Sequence, residues 1–304
     1  MTMWLWAIFT VVAAGGQTLR NAMQKELTAT LGTVGATHVR FLYGLPFGLL
    51  FLALVLAATG KPLPAITAEA LRWTLAGALA QIAATALLLA AMREKSFVLV
   101  TALTKTEPVY VALFGLAVLG DRLTPALAAA IGLATAGVMI MSWPKTGATA
   151  LLAWRPVMLG LVAGAIFAVA AIGFRGGILA LDPARTGAQN AQFVVNASTI
   201  LVLGLAIQTV LLSGYLALFE RANLLAIFRA WRPSIKAGFM GAFASQMWFL
   251  AFAIESAAKV RTLALVEIFF AGLVSRQLFK QGLASREGLG IGLIVLGVAL
   301  LLNQ

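Results

Sequence analysis

The sequence predicts an all-α integral membrane protein of ten transmembrane helices, arranged as two inverted five-helix repeats. The first observation behind this is composition. Of 304 residues, 62% are hydrophobic and only 11% charged, whereas a soluble domain carries about a quarter charged residues. The second is spacing: the apolar residues fall into runs of roughly 20, the length of one membrane crossing. The third is internal similarity. A shift of 160 positions lays Glu107 on Glu267, Leu123 on Leu283, Ile131-Gly132-Leu133 on Ile291-Gly292-Leu293, and Gly137-Val138 on Gly297-Val298. Such halves are typical of transporters built around a midplane site, and an odd number of spans per half inverts the second half.

Taken in order, the spans lie near 3–24, 34–58, 70–92, 97–119, 124–143, 156–180, 187–213, 233–254, 258–279 and 285–303. Breaks combine Pro, Gly and charge at Gly60-Lys61-Pro62-Leu63-Pro64, Arg93-Glu94-Lys95, Gly120-Asp121-Arg122, Trp143-Pro144-Lys145, Asp182-Pro183 and Arg232-Pro233. The longest connector, about 144–155, divides a first repeat of 1–145 from a second of 155–304 within one membrane domain. Met1-Thr2-Met3-Trp4 has no basic segment ahead of the apolar run, so no cleavable signal is expected. Trp73, Trp143, Trp154 and Trp231 fall at span ends as interfacial anchors. Close helix approach in lipid requires small residues. Gly160 with Gly164, Gly288 with Gly292, and Ala128 with Gly132 are the candidate seams.

Charge and reactive residues narrow the function. A formal net charge of +12 suits basic loops beside anionic lipid and not nucleic acid, since no aqueous domain is available to hold a duplex. There is no cysteine and a single histidine. Thiolate chemistry and His-rich metal sites are therefore excluded, and neither metal nor cofactor is expected. No phosphate-cradling Gly-x-x-x-x-Gly-Lys-Ser/Thr loop is present, which excludes ATP hydrolysis within this chain. An intramembrane enzyme would need paired carboxylates or a His–carboxylate set; only Glu107 and Glu267 are available, so the chain reads as a non-enzyme.

Polar groups at hydrocarbon depth are costly and mark pathways. Gln17, Arg20, Asn21 and Gln24 share one face of the first span. Thr74, Gly77, Gln81 and Thr85 line the third, Gln192 and Asn196 the seventh, and Gly238, Gly241, Ser245 and Trp248 the eighth. In the fourth span Thr101, Thr104, Lys105 and Pro108 share a face. Glu107 points more than half a turn from Lys105, so each needs a partner elsewhere. Pro108 frees the Thr104 carbonyl and loosens the helix, marking a hinge. Lys105 is a candidate for an anionic substrate group, its other reading being an ion pair with Glu107 or Glu267. The two glutamates are coupling or structural carboxylates. His38 and Arg40 open the second span at interface depth.

The segment from Leu103 to Met141, with Glu107-Pro108, Leu119-Gly120-Asp121-Arg122-Leu123-Thr124 and its Gly-rich closing helix, resembles the EamA-type repeat of the drug/metabolite transporter superfamily. His38-Val39-Arg40-Phe41 resembles that family's Arg-Phe at the same place. The resemblance implies a ten-helix exporter with a central cavity that includes Asn21, Gln81, Lys105, Arg175 and Trp248. With His38, Thr104, Tyr110 and Ser245 these form the candidate substrate-binding set. The second repeat departs by Ile268 in place of Pro108 and by Lys280-Gln281-Gly282 in place of a Gly-Glu turn.

The resulting expectation is a secondary transporter in a bacterial inner membrane. It would export small metabolites, chiefly amino acids including aromatic ones, by alternating access, and act as a monomer. Hydrophobic cationic drugs are the competing cargo, with Glu107 as their partner, and a lipid-translocating scaffold is the third reading. The Lys/Arg excess after odd-numbered spans would put both termini outside; the resemblance implies cytoplasmic termini and is the reading followed here.

Overall fold

A computed structural model describes residues 4–94, 97–142, 154–183, 190–270 and 285–303. Helices α1 (Leu5–Leu42), α2 (Gly44–Thr59), α3 (Ala68–Glu94), α4 (Phe97–Thr104), α5 (Glu107–Phe114) and α6 (Pro125–Ser142) precede residue 143. Helices α7 (Trp154–Ala180), α8 (Gln192–Phe219), α9 (Arg221–Arg229), α10 (Trp231–Ile254), α11 (Ala257–Leu263) and α12 (Ser285–Leu302) follow. Among the described residues there is no strand. The connector near 144–155 and the end of the ninth predicted span lie largely outside the described residues, as do Trp143 and Lys280.

Among the described residues, five helical stretches are long and apolar enough to cross a membrane: Leu5–Thr59, Ala68–Glu94, Val157–Ala180, Gln192–Phe219 and Trp231–Ile254. Glu107–Leu119, Pro125–Ile140 and Gly288–Leu302 are shorter apolar helices. This is a multi-pass membrane protein. Exposed leucine, valine and phenylalanine on the helix backs, among them Leu54, Leu79, Val210 and Leu296, are what a lipid-facing surface requires.

Several boundaries differ from the sequence expectation. The first two spans are not parted by a loop at 25–33. The helix runs on through Lys25-Glu26 and breaks only at Gly32, whose φ of 64° and ψ of −176° suit a residue without Cβ. Gln24 bridges that break, its Nε2 donating to the Ala36 carbonyl at 2.8 Å. The stretch between the seventh and eighth predicted spans is not a loop either. It holds α9, which buries Ile227 and exposes Leu225 and Phe228.

The most extensive helix pairings are α3 with α7, α1 with α10, and α6 with α12. Each rests on small residues, because helices in lipid associate by close packing. A Cβ on Gly173 would stand 2.6 Å from the Gly77 nitrogen, which brings α3 and α7 to backbone contact. In the α6–α12 pair, a Cβ on Gly137 would meet the Gly290 carbonyl oxygen at 2.6 Å and the Ile294 nitrogen at 2.9 Å. One on Gly297 would meet the Ala130 carbonyl oxygen at 2.8 Å and the Ala134 nitrogen at 2.9 Å. Gly160 and Gly164 pack on Leu103 and Thr104, as a seam residue should. Gly132, Gly288 and Gly292 have open space where a Cβ would go, so the Ala128/Gly132 and Gly288/Gly292 spacings are not the seam. The 3.6-residue period turns them away from the face that Gly137 and Gly297 occupy.

Candidate functional site

Two helices break at mid-depth, and the charged residues gather at the breaks. α4 ends at Thr104 and α5 begins at Glu107, with Lys105 and Thr106 as a turn between them. Pro108 stands in the first turn of α5 and cannot donate back to the Thr104 carbonyl. The corresponding break follows α11, where Ala264–Val266 tightens into a 3-10 turn before α-helix resumes at Glu267. Glu107 stands in the first turn of α5, where the helix dipole favours negative charge; Glu267 follows the 3-10 turn directly, its N–H donating to the Ala264 carbonyl.

Each carboxylate is paired with a cation from the other break. Lys105 Nζ forms an ion pair with Glu267 Oε2, and Arg261 Nε lies 2.9 Å from Glu107 Oε1. Glu267 Oε2 also accepts from Gln17 Nε2 at 2.8 Å, and Gln17 Oε1 accepts from Trp248 Nε1 at 3.0 Å. The Arg261 guanidinium lies 4.3 Å from the Trp248 ring centre and 5.3 Å from that of Phe252. Trp248 thus holds one cation by its face and orients the other pair by its edge. These groups enclose a narrow cavity between α1, α3, α4, α5, α7 and α11, with Leu88 and Phe167 as apolar wall. It has room for little more than one water molecule.

Two further cations sit beside the pairs. Arg20 lines the cavity, and Arg40 lies next to it over α10: a Cβ on Gly241 would meet Arg40 Cγ at 2.9 Å and Arg20 Cδ at 3.6 Å. Arg20 Nε and Nη2 donate to Asn21 Oδ1 at 3.2 and 2.7 Å. Arg40 donates to Thr85 Oγ1 at 3.3 Å and Ser245 Oγ at 3.2 Å. Among the described residues, Arg20 Nη1, Arg40 Nε and Glu267 Oε1 are buried with no hydrogen-bond partner, as are Glu107 Oε1 and Arg261 Nε, which face each other as an ion pair only.

Of the residues singled out from sequence, Asn21, Thr104, Lys105, Glu107 and Glu267 share the cavity wall. Trp248 and Ser245 support it through Gln17 and Arg40. Four others are placed elsewhere. His38 meets Ser213 on α8, with 3.0 Å between Nε2 and Oγ. Gln81 accepts from Gln208 Nε2 at 2.9 Å. Tyr110 stacks on Phe114 at 6.5 Å. Arg175 donates to both Asp121 carboxylate oxygens at 2.7 Å and to the Glu255 carbonyl at 3.2 Å, clasping two turns together away from the cavity.

Gln17, Arg20, Arg40 and Arg261 belong to the cluster but were not in the sequence-based set. Gln17 stood on the polar face of the first span, and Arg40 stood in the His-Val-Arg-Phe motif. Arg261 reads as a loop-end charge, yet the 160-residue shift lays it on Thr101, one turn from Lys105 on the same face.

Residues 1–143 match the sequence pattern of the EamA-like transporter family. No curated protein matches this chain by sequence. A protein of known crystal structure shares the fold, with a TM-score of 0.64 at 15% identity, over 98% of this chain and 96% of that one.

Proposed function

With an EamA-like transporter domain over residues 1–143 as the premise, we propose that the chain is a secondary transporter of small carboxylate-bearing metabolites, amino acids foremost, working by alternating access. The observation that carries the reading is the narrow, charge-lined cavity at two broken helices, whose ion pairs run between the two parts of the chain. Broken helices with functional groups at their exposed ends are how transporters place a site at the bilayer midplane.

The ten-span, inverted-repeat architecture is part of the proposal and has four supports. The Gly137 and Gly297 contacts are related by the same shift of 160 residues: Gly290 and Ile294 against Gly137 answer to Ala130 and Ala134 against Gly297. The breaks at Lys105–Thr106 and Ala264–Val266 follow the same shift. The pairing of α1 with α10 becomes that of α7 with α3 when the halves are exchanged. Leu5–Thr59, at 55 residues, is long enough for two crossings at 1.5 Å per residue.

A hydrophobic-cation cargo fits less well, because both central carboxylates already hold cations. We place the protein in a bacterial inner membrane as a monomer with cytoplasmic termini, moving substrate outward. The test is uptake of radiolabelled amino acids, phenylalanine and tryptophan included, by proteoliposomes with and without a pH gradient. Uptake above protein-free vesicles, competed by unlabelled amino acids, is the expected result. No uptake of any carboxylate, with the same vesicles moving a cationic dye, would sink the proposal.

A further inference from the structure

The charges at the centre do not balance. Arg20, Arg40, Lys105 and Arg261 are each 8% exposed or less, and among the described residues the carboxylates buried with them are Glu107 and Glu267. Lys105 and Arg261 take those two. Arg20 and Arg40 are left with only neutral acceptors, an amide and two hydroxyls. Arginine does not escape by losing its proton. The stems of these two buried arginines share the space over Gly241, and their uncompensated positive charges are offset when an anion joins them.

We infer that the Arg20–Arg40 pair is the anion-binding element of the central site and that the preferred substrate carries two carboxylates. This deepens the transporter reading and rests on it. The open valences fit such a molecule. Arg20, which lines the cavity, and Arg40, beside it, each keep a buried donor, Nη1 and Nε, with no partner among the described residues, one for each carboxylate. Glu267 Oε1 is a buried acceptor with none, suited to the ammonium of an acidic amino acid. A neutral amino acid brings no net charge and leaves both arginines uncompensated. An acidic amino acid supplies one net negative charge and a simple dicarboxylate two. The water-sized cavity is the closed form, so the substrate enters as the halves part.

The test uses the purified full chain in proteoliposomes with radiolabelled glutamate, succinate and phenylalanine, and reads thermal stability in detergent with the same three. Glutamate or succinate uptake exceeding phenylalanine uptake about tenfold or more, with a raised melting temperature for the dicarboxylates alone, is the expected result. Arg20→Gln and Arg40→Gln should each lower dicarboxylate uptake about tenfold or more, as loss of a charged hydrogen bond does. If either variant is poorly folded, the wild-type stability shift decides. Phenylalanine moved as well as or better than glutamate and succinate would overturn the inference and leave the transporter proposal standing. Dicarboxylate uptake unchanged in both arginine variants would also overturn it. Movement of a cationic dye alone would overturn both.

Discussion

The two mid-depth breaks reach the same geometry by different means. At Lys105–Thr106 a proline follows and removes a backbone donor. At Ala264–Val266 the next helical residues are Glu267 and Ile268, and the chain tightens into a 3-10 turn without any proline. What the breaks share is a glutamate at the start of the resumed helix and a cation from the opposite break. The comparison teaches that charge placement, more than proline, defines these breaks.

The largest effect should come from the carboxylates, and they should not be equal. Glu267→Gln leaves Lys105 buried against a neutral amide, a change that costs about 3–5 kcal/mol. Glu107→Gln leaves Arg261 still stacked on Trp248 and Phe252 and should cost less, about 1–3 kcal/mol. Thermal unfolding in detergent checks the order; a reversed order would break the comparison. Replacing both partners, Lys105→Met with Glu267→Leu, should recover most of the stability lost by Glu267→Gln while uptake stays absent.

Next come the glycines of the α6–α12 seam. Gly137→Ala and Gly297→Ala each drive a methyl into backbone and should destabilise by similar amounts, about 1–3 kcal/mol. Clearly unequal melting shifts would argue against a two-fold seam. Pro108→Ala should shift stability by less than about 1 kcal/mol, since the second break stands without proline, yet slow uptake several-fold. Unchanged uptake rates would remove Pro108 as a hinge. Gly292→Ala, with open space at its Cβ, should change melting least, within about 0.5 kcal/mol.

Much of the helical layout was legible because apolar runs and their Pro, Gly and charge breaks are one-dimensional signals. The continuation of α1 to Gly32 was not, since Lys25-Glu26 looks like a loop although charged residues sit comfortably on a helix end near the headgroups. Helix α9 was hidden by its arginines, which mask the amphipathic pattern of a nine-residue helix. In the site, Lys105, Glu107 and Glu267 stood out because isolated charges in apolar runs are rare. The angular separation of Lys105 from Glu107 also required partners on other helices, and Glu267 and Arg261 supply them. Arg175 drew notice for the same reason, but its partner Asp121 lies in a turn, and no spacing rule connects residues 54 positions apart.

The Asp121–Arg175–Glu255 clasp has a mechanical consequence. It ties the turn after α5 to the end of α7 and to the α10–α11 corner, so at one end of the bundle three connections move as one body. Any tilt of the helices that keeps this staple shut acts as a lever pivoted there. Over a span of about 30 Å, a rotation of about 10° displaces the far end by about 5 Å, the width of a small metabolite.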